Sequence, residues 1–132
     1  MSAVEPLGPE VDLDSRFYWD GLANHQLLVQ RCPACGEHRF PPLPACPTCG
    51  TPGGTVVAVA TRGRVYSWIV VHRAVVERVA DQVPYTVAVV ELDVGCRVVG
   101  RLEGDAAVTA EQPVEGIYLD HGDWTELRFR AT

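Results

Sequence analysis

The sequence contains no lysine, only one methionine and no long apolar run. All 11 basic residues are arginines, and 17 acidic residues outnumber them, so the formal net charge is −6. General nucleic-acid binding requires a positive surface, and the overall charge therefore argues against that class of protein. No stretch approaches the roughly 18 consecutive apolar residues of a membrane-spanning helix, so we do not expect the chain to cross a membrane.

The first 14 residues also lack the basic start of a secretory signal peptide. They contain Glu5, Glu10 and Asp12 and no arginine, whereas a signal peptide begins with positive charge. We therefore expect a cytoplasmic protein. Disulfides are rare in that compartment, and clustered cysteines there indicate a metal site or catalysis.

Positive charge is concentrated in the middle of the chain. Residues 31–80 hold six arginines against two acids, which gives a formal charge of +4. Residues 1–30 hold one arginine against five acids (−4), and residues 81–132 hold four against ten (−6). The middle of the protein is thus basic, while both ends are acidic.

The sequence divides into three segments with different compositions. Residues 1–30 form a helical segment that ends in a short apolar strand. Residues 31–54 are dense in proline and glycine and have few residues able to form a core, so this segment needs a cross-link to become ordered. Residues 55–132 alternate apolar and polar residues in short runs, which is typical of β-strands.

The predicted N-terminal helix carries three consecutive aromatic residues. Apolar residues recur there at helical spacing, and Asp12 or Asp14 can cap the helix. Phe17, Tyr18 and Trp19 are more than one face of a helix can bury. Either the later segments cover them, or they form part of an interface with a partner protein.

The third segment predicts a mainly β fold. The strands are expected at 55–61, 64–71, 85–92, 96–102, 114–119 and 124–130. Ala88, Val90 and Leu92 share one face of their strand, and Leu127 and Phe129 point inwards from the last one. Five or six short strands without an intervening helix predict a small closed or nearly closed barrel.

Four cysteines form two similar knuckles separated by ten residues. The knuckles read Cys32-Pro33-Ala34-Cys35-Gly36 and Cys46-Pro47-Thr48-Cys49-Gly50. Two residues between the cysteines let both sulfurs reach one ion, and the following glycine tolerates the left-handed backbone that closes the turn. Four thiolates make the closed tetrahedral site of a structural zinc ion, with no open position for a substrate.

Other readings of the cysteines remain open from the sequence alone. Disulfides require an oxidising compartment, and nothing in the sequence indicates one. A rubredoxin-type iron site or an iron–sulfur cluster uses similar knuckles, and sulfur ligands do not by themselves exclude iron. A thioredoxin-like dithiol needs one pair of cysteines and not two. One structural zinc ion on Cys32, Cys35, Cys46 and Cys49 is the favoured prediction.

No catalytic constellation is recognisable in the sequence. A zinc ion with four sulfur ligands cannot activate water. Cys96 has no histidine nearby in the sequence and is expected to be a small core residue, and His72 is expected to be an ordinary residue at a strand end. Ser67 lacks the Gly-x-Ser-x-Gly context of a hydrolase nucleophile. We therefore predict that this chain has no catalytic residues.

The order of these features resembles a known family. The motifs that carry the resemblance are Leu27-Leu28-Val29-Gln30-Arg31-Cys32-x-x-Cys35-Gly36, Arg39-Phe40-Pro41-Pro42, Cys46-Pro47-x-Cys49-Gly50, Gly63-x-Val65-Tyr66-Ser67 and Pro84-Tyr85. They are similar to the zinc-ribbon/OB-fold family catalogued as domain of unknown function 35. Members of that family accompany acyl-CoA enzymes, namely thiolase-like enzymes, steroid side-chain aldolases of thiolase fold and MaoC-type hydratases.

The resemblance covers nearly the whole chain from Phe17 onwards and implies its architecture. It implies a short N-terminal helix, a rubredoxin-like zinc ribbon at 31–54 and a five- to six-stranded OB-fold barrel at 55–132. One departure lies at 110–114, where the family usually has a glycine-containing turn and this chain reads Ala-Glu-Gln-Pro-Val. Proline can still make that turn, so the fold is expected to persist.

The resemblance also implies a function. It implies a non-catalytic accessory subunit of an acyl-CoA-processing complex, docked on a thiolase-fold aldolase or thiolase in a hetero-oligomer with two copies of each. Steroid or lipid side-chain degradation is the expected setting. The alternative reading is a zinc-ribbon/OB-fold protein that binds single-stranded nucleic acid, which the acidic ends and the absence of lysine disfavour.

Four arginines are the candidate contacts of such a complex. They are Arg62, Arg64, Arg73 and Arg78, which lie in the basic middle of the chain. Their guanidinium forks match the geometry of phosphate, so they could meet the phosphates of CoA or an acidic face of the partner. Scattered arginines in contact with solvent are the alternative.

Overall fold

The computed structural model describes residues 8–104 and 107–132, which form one α-helix, a three-stranded sheet and a five-stranded closed barrel. In chain order the elements are α1 (Arg16–Ala23), β1 (Leu27–Arg31), β2 (His38–Arg39), β3 (Thr55–Val59), β4 (Arg62–Val71), a 3-10 helix (Glu77–Val79), β5 (Tyr85–Leu92), β6 (Arg97–Leu102), β7 (Pro113–Asp120) and β8 (Thr125–Ala131). The predicted fold class, mainly β with one short helix, is confirmed. In this part of the chain no helix has the length and apolar character needed to span a membrane.

Helix α1 begins after a turn that is stabilised by polar residues just before the helix. The N-cap position is Ser15, and among the described residues no side chain caps the helix. The expected cap by Asp12 or Asp14 is therefore wrong. Asp12 Oδ1 instead accepts a hydrogen bond from the backbone N–H of Ser15 at 2.8 Å, which orders the turn that precedes the helix. The helix then buries Tyr18 and Leu22.

The three-stranded sheet has β1 at its centre, with β2 and β3 antiparallel on either side. Leu27 and Val29 of β1 are fully buried, and their partners Val59 and Val57 on β3 pack against the same core. The sequence groups this strand, expected at 55–61, with the OB-fold segment, and in the structure it pairs with β1. Burial of the apolar face of β1 accounts for it, because β3 supplies the matching apolar residues.

Strands β4 to β8 close into a barrel in the order β4-β5-β6-β8-β7. All neighbouring strands are antiparallel except β6 and β8. The predicted inward residues of β8 and the common face of Ala88, Val90 and Leu92 on β5 are confirmed, and the buried apolar side chains of the strands are Val65, Ala88, Val90, Leu92, Val98, Val114, Leu127 and Phe129. Alternate residues thus fill the interior, and the barrel has a packed core.

The backbones of the paired strands β4 and β5 lie very close together at one glycine. Gly63 opposes Leu92, and a side chain at Gly63 would overlap the carbonyl oxygen of Glu91 and lie 2.9 Å from Leu92 Cα. Backbone groups cannot give way there without opening the ladder. Glycine at this position is therefore a requirement of strand packing.

The turn before β7 uses a non-glycine residue in a glycine-like conformation. Glu111 has φ 65°, and its N–H donates to the carbonyl oxygen of Val65 at 2.9 Å. Pro113 opens β7. The expectation that the fold tolerates the missing glycine holds, although Glu111 makes the left-handed turn and the proline does not.

Candidate metal centre

The two cysteine knuckles have nearly the same backbone geometry. In the first, the N–H of Gly36 donates to the carbonyl oxygen of Cys32 at 3.0 Å, and in the second Gly50 donates to Cys46 at 2.9 Å. Gly36 and Gly50 have φ of 76° and 78°, where a side chain would be strained. The repeated Cys-x-x-Cys-Gly pattern therefore folds as two similar turns, as the sequence predicts.

The four sulfur atoms form a compact cluster. Cys32 Sγ lies 3.6 Å from Cys49 Sγ, and Cys35 Sγ lies 3.7 Å from Cys46 Sγ. All four ligand atoms lie within 4.8 Å of one another. A regular tetrahedron with zinc–sulfur bonds of about 2.3 Å has edges of about 3.8 Å, so this donor set fits one zinc ion.

Hydrogen bonds to two of the four sulfurs favour the thiolate form that a metal needs. The backbone N–H of Cys35 donates to Cys32 Sγ at 3.5 Å, and this bond lowers the pKa of Cys32 to about 6. The hydroxyl of Thr51 lies 3.2 Å from Cys49 Sγ and lowers the pKa of that thiol. All five cysteines are free, so the disulfide alternative is wrong.

A buried arginine holds the loop around this cluster. Arg39 is 5% exposed, and its Nη2 donates to the carbonyl oxygens of Leu43 at 2.9 Å and Gly53 at 2.6 Å. Its Nε donates to Gln30 Oε1 at 2.8 Å, which also accepts the N–H of Leu43. Arg39 therefore ties the two ends of the loop that carries the second knuckle to β1. It is a positioning residue and not a ligand.

The aromatic residues of α1 are mostly covered within the molecule. Tyr18 is 8% exposed and lies 4.8 Å, between ring centroids, from Phe40. Trp19 packs edge-on against Tyr18 and against Trp124 of the β7–β8 turn. Phe17 is half-buried and lines an open groove. Later segments of the chain thus cover Tyr18, as the first of the two interpretations expects. Of the three aromatic residues, Phe17 and Trp19 keep partly exposed side chains that a partner could contact.

The candidate arginines do not converge on one site. Arg62 and Arg64 are exposed and line an open cleft of about 400 Å³ at one end of β4. Arg73 is exposed beyond the other end of that strand, roughly 30 Å away along nine residues. The side chain of Arg78 lies outside the described part of the chain. A single phosphate can therefore contact Arg62 and Arg64 but not Arg73 as well.

The residues weighed as catalytic candidates lie apart or are buried. Cys96 is 7% exposed and belongs to the barrel core, and burial raises the pKa of its thiol. That makes it a poor nucleophile. His72 is exposed just after β4. The core role predicted for Cys96 is confirmed.

The structure shows two histidine–carboxylate pairs that the sequence did not predict. His25 Nε2 contacts Asp120 Oδ1 at 3.0 Å and stacks on Tyr118. His121 Nε2 contacts Glu126 Oε1 at 2.9 Å. The hydroxyl of Thr125 donates to Asp120 and not to a histidine, so neither histidine activates this hydroxyl. The contact between His25 and Asp120 joins the end of α1 to the β7–β8 hairpin, and no local signal could have revealed a pair that is 95 residues apart.

Comparison with known proteins decides the family. A family model described as the ChsH2 rubredoxin-like zinc ribbon domain matches residues 19–53, and one described as the ChsH2 C-terminal OB-fold domain matches residues 56–118. A solved structure described as the Ltp2-ChsH2(DUF35) aldolase matches with a TM-score of 0.83 and 36% identity, over 94% of this chain and 98% of that one. This chain belongs to the DUF35 family. Its barrel is an OB-fold, and its four cysteines form the site of one structural zinc ion.

Two curated relatives of this DUF35 chain are much longer than it is. One is a probable enoyl-CoA hydratase alpha subunit from Thermomonospora curvata, 41% identical over 74% of this chain and 30% of the relative. The other is the 3-oxo-4,17-pregnadiene-20-carboxyl-CoA hydratase alpha subunit from Mycobacterium tuberculosis, 37% identical over 89% of this chain and 37% of the relative. The DUF35 chain thus spans about a third of the length of these relatives.

Proposed function

We propose that this DUF35 chain is a non-catalytic accessory subunit of an acyl-CoA-processing complex. It docks on a thiolase-fold aldolase or thiolase subunit, in a hetero-oligomer with two copies of each chain. Degradation of a steroid or lipid side chain is the proposed setting. The thiol ligands must stay reduced to bind zinc, and we place the complex in the cytoplasm.

The observation that carries the proposal is the saturation of the metal site. Four sulfurs of one chain surround one position and supply a complete tetrahedral shell. When bound, zinc supplies structural cross-linking, and Cys32, Cys35, Cys46 and Cys49 would hold it. The residues of this chain then order the loop and leave the chemistry to another polypeptide.

The relatives support the kind of partner. The similar solved structure is of an aldolase whose description names two components, Ltp2 and ChsH2(DUF35). Nearly all of the matched chain in that structure is covered by this one. The curated relatives act on acyl-CoA substrates as their names state. An acyl-CoA partner of thiolase fold is the inference that fits these likenesses together with the absence of a catalytic constellation among the described residues.

Arg62 and Arg64 are the proposed contacts to CoA. They share an open cleft, and their forks can each bind one phosphate through two parallel hydrogen bonds. Asp93 and Glu115 line the same cleft and would repel a phosphate. CoA is therefore expected to bind in the cleft only once the partner covers part of it.

Co-expression with a thiolase-fold acyl-CoA subunit tests the proposal. We expect the two chains to co-purify and to elute as a stable complex with the mass of two copies of each, measured by light scattering. The purified chain alone should show no turnover of acyl-CoA substrates. Two chains that remain independent at micromolar concentration would refute the accessory role, and salt-dependent binding of a single-stranded oligonucleotide would favour the alternative function.

A further inference from the structure

Strand β4 extends beyond the strand that covers its outer edge. Strand β7 pairs with β4 only at Arg62–Arg64, and the backbone of Val65 then exchanges two hydrogen bonds with the turn before β7. From 66 to 71, β4 pairs with β5 on one side. Within residues 8–104 and 107–132 nothing pairs with its other side. We call residues 66–71 the free edge.

The free edge is apolar and exposed on both of its faces. Tyr66 is 50% exposed, Trp68 37%, Ile69 63% and Val70 45%. Successive residues of a strand point to opposite faces, so apolar side chains flank the unpaired backbone above and below. The segment has no charged residue and no proline.

Soluble proteins normally protect such an edge from pairing with other chains. The usual devices are lysine, proline, an inward-pointing charge, a β-bulge or a very short edge strand. Of these, the six-residue segment has only the register shift between Val65 and Ser67 at its start, and it continues from there to Val71. An apolar edge with unpaired N–H and C=O groups is suited to accept another strand.

We propose that the free edge is the place where the partner subunit docks, by adding an extended segment of its own chain to β4. This proposal rests on the accessory function proposed above and specifies the surface that serves it. Main-chain hydrogen bonds from 66–71 supply the binding geometry, and the alternating pockets beside Trp68 and Ile69 select apolar side chains in the incoming segment.

The charges at the ends of the free edge favour a partner over a second copy of this chain. Residues 62–73 contain Arg62, Arg64 and Arg73 and no acid. Glu111 Oε2 lies 3.9 Å from Arg64 Nη1, and both side chains are largely exposed, so the pair neutralises little of the charge.

Antiparallel pairing of the whole segment with its own copy would oppose like charges. It would place Trp68 opposite Ile69 and would bring Arg73 of one copy towards Arg64 of the other just beyond each end of the ladder, and like charges brought together in this way are destabilising. The incoming strand is therefore an apolar segment with carboxylates at its ends, supplied by a different polypeptide.

The start of the free edge is already held in place. The guanidinium of Arg97 on β6 lies 3.6 Å from the centroid of the Tyr66 ring, and Arg97 Nε donates to Glu91 at 3.2 Å. At the far end, Arg101 stacks on Tyr85, which pairs with Val71. The free edge is thus largely ordered before a strand is added. Binding therefore loses little conformational entropy in this chain, which favours affinity.

Amide hydrogen exchange in the co-expressed complex tests the proposal directly. Added strand pairing should slow the exchange of the outward-pointing amides in 66–71 at least tenfold relative to the free chain. A second test uses matched variants of the full chain: Ile69→Lys on the free edge, and Val99→Lys, 59% exposed on β6 and away from that edge. We expect Ile69→Lys to weaken association at least tenfold, and Val99→Lys less than threefold.

The outcomes separate this inference from the function on which it rests. A stable complex with unchanged exchange at 66–71, or with equal sensitivity to both variants, overturns the docking edge and leaves the accessory function intact. Failure of the wild-type chain to bind any thiolase-fold subunit overturns both. Concentration-dependent dimers of the free chain with 66–71 protected would show self-pairing and overturn the choice of occupant. Both variants are exposed substitutions, and retained zinc and thermal stability will show that they fold.

Discussion

Replacing one zinc ligand should destabilise the ribbon far more than the same change at the free cysteine. Cys46 and Cys96 are both buried, at 3% and 7% exposure, and both become a buried serine. Burial of the new hydroxyl costs about 1–3 kcal/mol at either position. Only Cys46→Ser also removes a metal ligand, which makes Cys96→Ser its matched control.

The size of the difference follows from the donor set. Structural zinc contributes about 10–16 kcal/mol of apparent binding free energy, and an equal share for each of four sulfurs is about 2.5–4 kcal/mol. Cys46→Ser should therefore cost about 3.5–7 kcal/mol in the free energy of opening the ribbon. That is comparable with the whole stability of many domains, about 5–15 kcal/mol.

Elemental analysis and amide exchange together measure this effect. Wild type and Cys96→Ser should each carry one zinc per chain, whereas Cys46→Ser should lose it. Exchange protection should then fall in β1, β2 and β3, while the barrel strands β5 and β6 keep theirs, because none of the four zinc ligands belongs to the hydrophobic core that these strands line. If Cys46→Ser retained stoichiometric zinc, or opened within 1 kcal/mol of Cys96→Ser, the argument for four sulfur ligands would fail.

Three further expectations follow from individual residues. Gly63→Ala should lower the free energy of unfolding, measured by chemical denaturation, by about 2 kcal/mol or more, because the new Cβ has no room against the β5 backbone. The control is Gly8→Ala, whose Cβ meets only an ordinary 3.5 Å contact with Trp124. It should change the free energy of unfolding by less than about 0.5 kcal/mol. Because burial raises the pKa of Cys96, its neutral form stabilises the fold at neutral pH, and this contribution should decline as the pH rises above the ordinary thiol value of 9.0. Peptide mapping after treatment with iodoacetamide at pH 8 should find Cys96 unmodified in the folded chain, and rapid labelling there would reopen a nucleophilic role. Glu111→Gly should raise stability by about 0.5–1 kcal/mol, because glycine adopts the left-handed conformation without the steric cost; a lower melting temperature would contradict this.

Local patterns were enough to predict the metal centre and the strands of the barrel. Each knuckle is a turn of five residues, and its glycine and sulfur positions follow from spacing alone. Alternation in β5 and β8 correctly separated inward Val90 and Phe129 from their outward neighbours, because the period of a strand is a local property. The chain therefore encodes these parts in stretches short enough to read directly.

Long-range pairing decided the rest. The sequence shows that 55–61 is a strand, but only packing against Leu27 and Val29 assigns β3 to the sheet of the ribbon. Burial of Tyr18 depends on Phe40, more than twenty residues away, and the pairing of His25 with Asp120 spans 95 residues.

The free edge has the same origin. Periodicity predicts that β4 is a long strand, whereas its partners on each side are set by where β7 begins and by the register that closes the barrel. Sequence alone therefore determined which residues bind the metal and which form strands. Tertiary structure decided which strand edges are paired and which are left for another chain, because each edge depends on contacts between segments that are distant in the sequence.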